Sequence, residues 1–245
     1  MSHITDRVQT GSATYTVHAA SVLLLVCAAV STPSLAQNSD LDKRTPSVYL
    51  EAEGSFSTHK SNTLNGTDFA TGSGLEAGVW TGKDKNLGMA VRQSQFQTHF
   101  TQVDAGADES WTDFLLRYRL LWFYPTAVIG SCNLGIEKNG QKIVDLLCTT
   151  LGASLGIRVP VGQYVIVEFT PLVAKPVSVK DRLARDTTVD LRSDYSLGVS
   201  LRPKLPWLDI NVGFRYRTYN LTIAGDNTRE VYAGPYLGLA LGFSF

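Results

Sequence analysis

The chain closes on Tyr232-Ala233-Gly234-Pro235-Tyr236-Leu237-Gly238-Leu239-Ala240-Leu241-Gly242-Phe243-Ser244-Phe245, and this stretch decides the fold class. Ala233, Pro235, Leu237, Leu239, Leu241, Phe243 and Phe245 take one side. Tyr232, Gly234, Tyr236, Gly238, Ala240, Gly242 and Ser244 take the other. Successive side chains of an extended chain point to opposite faces, so a period of two reads as a strand with one apolar face. The same grammar recurs upstream. Ile210, Val212, Phe214 and Tyr216 oppose Asp209, Asn211, Arg215 and Arg217. Leu191, Tyr195, Leu197, Val199 and Leu201 oppose Asp190, Arg192, Asp194 and Ser200.

Extended outward, the pattern runs from Ser47 to Phe245, broken by Gly, Pro, Asn and Asp clusters. About ten strands fit, over 47–58, 73–82, 86–102, 110–124, 126–138, 142–159, 163–177, 189–202, 208–223 and 229–245, with eight as the alternative. One set of connectors is short (82–85, 124–125, 160–162, 202–207) and mostly Pro-containing. The other (59–72, 104–109, 139–141, 179–188, 224–228) is mostly rich in Ser, Thr, Asn, Asp and Gly and predicts longer loops.

The N-terminus is of a different kind. Arg7 precedes the apolar run Ala19–Val30, and Ser34-Leu35-Ala36 supplies small residues before Gln37. That order predicts a secretory signal over 1–36, cleaved near Ala36/Gln37. Residues 37–46 read as a short polar leader, and 47–245 as one all-β domain. The charge is balanced, with 22 Lys+Arg against 22 Asp+Glu, which argues against a nucleic-acid binder. Beyond the signal no stretch approaches the ~20 apolar residues of a membrane helix, so a membrane would have to be crossed by strands.

The terminal strand resembles that of small bacterial outer-membrane β-barrel proteins. The resemblance implies a transmembrane antiparallel up-and-down barrel in the cell outer membrane, no cofactor, and outer-membrane lipids and lipopolysaccharide as surroundings. It also implies that Tyr236, Leu239, Leu241, Phe243 and Phe245 carry the signal read by the barrel-assembly machinery. Omptin proteases resemble this chain in strand count alone. The subfamily, the solute and the oligomeric state stay open.

In such a barrel polar residues fill the lumen. Candidates are Glu51, Glu53, Glu76, Asp113, Glu137, Glu168, Asp190, Asp194 and Asp209, against Arg92, Arg117, Arg119, Arg158, Arg192, Arg202, Arg215 and Arg217. Every base is Arg, which stays charged and pairs bidentately with carboxylates. The set predicts internal ion pairs, with either a structural role or narrow-pore passage of small polar solutes.

Further expectations follow from the pattern. Gln93, Gln95 and Gln97 share a face with Leu87, Met89 and Val91, which predicts a bulge or register change near Arg92–Ser94, with the upper half of the strand projecting beyond the membrane. Asn139-Gly140 predicts a two-residue turn. Carried down without a bulge, it puts Cys132 and Cys148 on opposite faces as free thiols; one bulge would bring them together. Trp80, Trp122, Tyr124, Tyr164, Trp207 and Phe245 at one end, and Phe100, Trp111, Tyr195 and Tyr219 at the other, read as two aromatic bands. No GxSxG, HExxH, P-loop or CxxC pattern is present, so no catalytic residue, metal or cofactor is assigned. A rim hydrolase would need His59 or His99, the latter beside Asp104, Asp108 and Glu109. A surface-binding barrel would act through 59–72 and 179–188.

Overall fold

The computed structural model describes residues 46–81, 85–205 and 207–244. The secretory signal, the leader up to residue 45 and Phe245 lie outside the described residues. The strands are β1 (Val48–Ser61), β2 (Gly66–Thr81), β3 (Leu87–Phe100), β4 (Ala105–Tyr118), β5 (Phe123–Lys138), β6 (Gln141–Pro160), β7 (Val165–Asp181), β8 (Thr187–Val189), β9 (Arg192–Leu201), β10 (Leu208–Ile223) and β11 (Asp226–Phe243). Neighbours pair antiparallel, and β11 pairs with both β10 and β1, which closes the sheet into a barrel. Closure pairs the first stave with the last, so neither is left as an edge. β8 and β9 pair with successive stretches of β10 and act as one broken stave, so the barrel has ten staves.

Both ends of the described chain meet at one end of the barrel, where the Ser47 amide donates to the Phe243 carbonyl at 2.7 Å. We call this the terminal end. The far end carries the connectors 62–65, 101–104, 139–140, 182–186 and 224–225. These are tighter than the sequence suggests. Strand pairing runs through most of 59–72, leaving only a turn at 62–65, and β4 already begins at Ala105. Asn139 and Gly140 turn with φ of 50° and 74°, as a primed hairpin requires.

The outward face changes character along most staves, with Phe69 on β2 and Leu147 on β6 as exposed apolar exceptions toward the far end. Near the terminal end it is apolar: Leu87, Met89 and Val91 on β3, Leu116 and Phe114 on β4, Leu155 and Leu151 on β6, Leu241, Leu239 and Leu237 on β11. Toward the far end it turns polar: Gln93, Gln95, Gln97 and His99 on β3, Ser131, Asn133 and Glu137 on β5. The inside changes in the opposite sense. Charged residues fill the terminal half and the waist, whereas Phe96, Phe100, Leu134, Ile136, Val144, Leu146, Leu221 and Tyr232 form a packed core in the far half.

Length explains this. β6 has 20 residues; at ~3.3 Å per residue and a tilt of ~40°, such a strand rises ~50 Å, about twice the ~25 Å apolar belt of an outer-membrane barrel. The terminal half is built for lipid outside and the far half for water outside.

Three expectations are corrected by that division. No bulge occurs near Arg92–Ser94: β3 pairs without interruption with β2 and β4, and its glutamines face water above the belt. The bulge lies instead at Ile136/Glu137, so Cys132 stands directly opposite Cys148, both inward in the apolar core and joined as a disulfide with Cα atoms 5.0 Å apart. Free thiols followed from carrying the Asn139-Gly140 register down without that bulge, and the bulge brings both cysteines onto one face. Asp145 lies on the outer face, above the belt, held by Lys142 at 3.1 Å and Arg182 at 3.2 Å. The far aromatic band is likewise only partly a girdle. Phe100, Trp111 and Tyr219 point inward, while Tyr195 faces out. At the terminal end Trp80 is also inward, against Tyr124 with ring centroids 5.8 Å apart.

Candidate functional site

The lumen divides into three layers. At the waist lies a sealed septum of charge. Arg192 grips Asp113 with two hydrogen bonds of 3.0 and 3.1 Å and reaches Asp194 at 2.6 Å. Arg217 binds the other oxygen of Asp194 at 2.8 Å and Glu109 at 3.0 Å. Arg92 adds a contact of 3.2 Å to Asp113. Three Arg therefore face three carboxylates. Glu109 also accepts from Tyr219 at 2.8 Å and from the Trp111 indole. The Arg192 guanidinium lies 4.2 Å from the Trp111 ring centroid, and that of Arg217 lies 4.9 Å from Phe96. Arg192 and Trp111 are 0% exposed and Asp113 is 1%. Local backbone makes the room: a Cβ at Gly130 would stand only 2.5 Å from Asp113 Oδ1.

Below the septum a cavity of about 670 Å³ runs to the terminal end. Ion pairs line its wall. Arg117 binds Glu76 at 2.6 and 3.0 Å, with the Tyr49 hydroxyl donating to Glu76 at 2.6 Å. Arg215 binds Glu53 bidentately under Tyr236. Arg158 meets Glu168 at 2.5 Å, and Arg202 meets Asp209 at 3.2 Å. Glu51 accepts from Asn211 Nδ2 at 2.6 Å. Ser200 Oγ lies 2.6 Å from Asn211 Oδ1 and 2.7 Å from Glu168, donating to one at a time. The mouth is apolar and aromatic, with Leu121, Trp122, Leu205 and Trp207.

Above the septum sits the apolar core. His59 is 0% exposed there, 2.9 Å from Thr98 Oγ1 and 2.9 Å from Glu230, and stacked on Tyr232 at 3.9 Å. Ser61 and Thr63 donate to the other oxygen of Glu230 at 3.0 and 2.6 Å. The order hydroxyl, imidazole, carboxylate is that of a nucleophilic triad, but substrate has no access to a fully buried group. Here it satisfies polar atoms inside a core. His99 is on the outer wall, sharing a surface depression with Asp104 and Asp108, while Glu109 points into the septum. The two histidines therefore do not converge.

The structure places most of the lumen candidates side by side. Glu51, Glu53, Glu76, Arg117, Arg158, Glu168 and Arg215 line the cavity; Asp113, Arg192, Asp194 and Arg217 form the septum, and Arg92 belongs to both. Others are not. Asp190 is exposed at the break between β8 and β9, Glu137 is exposed beyond the bulge, and Arg119 sits past the end of β4. Of the terminal-strand residues, Leu239, Leu241 and Phe243 face outward and Tyr236 inward. Glu109 was missed because 104–109 reads as a loop; its parity with Trp111 and Asp113 is the signal that finds it.

No family model and no curated protein matches the chain. Solved structures of related shape exist. Neisserial surface protein A is 12% identical over 80% of this chain and 97% of that one, with a TM-score of 0.42. The translocator domain of autotransporter NalP from Neisseria meningitidis is 13% identical over 94% and 97%, at 0.43. The transport unit of autotransporter AIDA-I from Escherichia coli is 11% identical over 84% and 93%, at 0.49. The apolar outer belt around a polar lumen makes this chain a small barrel of the outer-membrane type on its own geometry.

Proposed function

We propose that the chain is a closed outer-membrane barrel whose lumen is a chamber open at the terminal end, facing the periplasm, and sealed toward the outside. The observation that carries this reading is the septum: paired charges that are buried except for Arg92, which faces the chamber, capped by a packed core. Export delivers both chain ends to the periplasmic side, which orients the cavity mouth inward. The chamber suits retention of a small molecule, since pockets of ~300–1,000 Å³ hold compact ligands. A narrow pore, the other reading of an Arg/acid-lined lumen, would need a water path through Arg192, Trp111 and the layer above. Outer-leaflet lipids and lipopolysaccharide are the surroundings we assign to the belt, and Lys175, exposed on the same face of β7 as Val173, is the cation we assign to their phosphate groups. Leu239, Leu241 and Phe243, with Phe245 beyond them, remain our assignment for the assembly signal.

Planar-bilayer recording of the refolded full chain tests the closed state. The proposal expects no stepwise conductance for the native barrel, and none after the double change Arg192→Ala/Asp113→Ala, because the packed core above the septum still closes the far half. Stable unitary currents through the native protein would replace the chamber with a pore.

A further inference from the structure

Among the described residues, the charges of the septum and the chamber balance except at one residue. Septum pairs cancel three against three, and four more pairs line the chamber: Arg117–Glu76, Arg215–Glu53, Arg158–Glu168 and Arg202–Asp209. Glu51 is left over. Its one hydrogen bond in the wall comes from a neutral amide, Asn211, and among the described residues no Lys or Arg stands within ion-pair distance of it. Its surroundings sharpen the imbalance. Glu51 lies opposite Glu76 across β1 and β2, a like-charge cross-strand pair that is destabilising unless a cation intervenes. Arg117 and Arg215 are already committed to Glu76 and Glu53.

We propose that Glu51 is the anchor of a binding site for a small organic cation, an amine or quaternary ammonium with an apolar body, entering from the terminal end. The inference rests on the chamber being closed and reachable from that side. Three features fit this class. The carboxylate faces a cavity of suitable volume, about 670 Å³. Tyr49 and Tyr236 line the same chamber, and the Tyr236 ring already carries the Arg215 guanidinium at 5.0 Å, the kind of contact a bound cation would make. The mouth is lined by Trp122, Trp207 and Leu121, which favours an apolar body over a hydrated metal ion. No cluster of His, Cys, Asp and Glu suited to a metal exists among the described residues.

The test is a titration of the refolded full chain in zwitterionic lipid vesicles permeabilised to small solutes. Benzyltrimethylammonium is the probe, followed by calorimetry and by tryptophan fluorescence. Benzenesulfonate and calcium chloride are run in parallel. The proposal expects saturable binding of the ammonium, none of the sulfonate, and no competition from calcium. Glu51→Gln should weaken binding about 10- to 100-fold, as loss of a charged hydrogen-bond partner does, while the chain keeps its heat-modifiable gel mobility. Glu51→Asp should retain part of the affinity. Equal binding of sulfonate and ammonium in the native chain overturns the class without any variant, and so does displacement by calcium. Unchanged affinity in Glu51→Gln overturns the residue. A native barrel that conducts no current yet binds no cation overturns this inference alone and leaves the closed chamber standing.

Discussion

Leu87, Met89 and Val91 share one face of β3 with Gln93, Gln95, Gln97 and His99. All seven point out of the same barrel. The first three belong to the half that meets lipid and the last four to the half that meets water. Inside, the relation is reversed: below the waist the wall is Arg and Glu around a cavity, and above it Phe, Leu and Val close-pack. Polarity on a strand face therefore reports the solvent at that height, and a single strand can report two. The terminal half is a membrane barrel, and the far half is built like a small soluble one.

The septum joins the two halves and should be the most sensitive point. Arg192→Met leaves Asp113 and Asp194 without their shared cation in a site closed to water. Breaking a buried pair in this way costs about 3–5 kcal/mol, so the urea midpoint of the refolded barrel should fall sharply. A shift under ~1 kcal/mol would mean that water already reaches the septum.

The belt gives the next largest contrast. Leu239→Arg places a charge in the apolar band and should cost about 2–4 kcal/mol near the bilayer midplane. Gln97→Arg makes the same kind of change on the far wall and should cost less than ~0.5 kcal/mol, as exposed substitutions do. Equal costs would erase the distinction between the two walls.

The disulfide comes third. Cys132 and Cys148 are 16 residues apart and sit in the far core, so removing the cross-link by Cys132→Ser/Cys148→Ser should cost up to about 3 kcal/mol on the chain-entropy model. The loss should appear as faster hydrogen exchange in β5 and β6 at their far ends, with little change in the belt. A smaller effect is expected for His59→Gln, which keeps one hydrogen-bonding group but loses the stacking on Tyr232; about 1–2 kcal/mol is the range for an imperfectly satisfied buried polar group.

The comparison also explains what was legible beforehand. Alternation in β9, β10 and β11 revealed strands, their approximate number and the inward Arg and acid residues, because these staves cross the belt with one polar and one apolar face. The far half was misread for a physical reason. Val128, Cys132, Leu134 and Ile136 form an apolar face of β5 that looks lipid-facing if the whole strand is assumed to lie in the membrane, yet it points inward. The bulge at Ile136/Glu137 adds a second obstacle, since one extra residue reverses every side chain beyond it. The septum was half visible: Asp113, Arg192, Asp194 and Arg217 stood out as charges on polar faces. Their convergence depends on how far each strand is staggered around the barrel, which no single segment encodes. Glu51 was visible as a lumen acid, but its lack of a cation emerges only when every other pair is assigned.

Depth measurement tests the two-solvent account most directly. Spin labels placed singly at positions 89, 116 and 239 and at positions 97, 110 and 133 of the refolded barrel in lipid vesicles can be challenged with oxygen and with a water-soluble nickel chelate. The account predicts that the first three relax with oxygen and are shielded from the chelate, and that the last three do the reverse. Labels at 97, 110 and 133 that respond like the one at 239 would put the far half in lipid and contradict it.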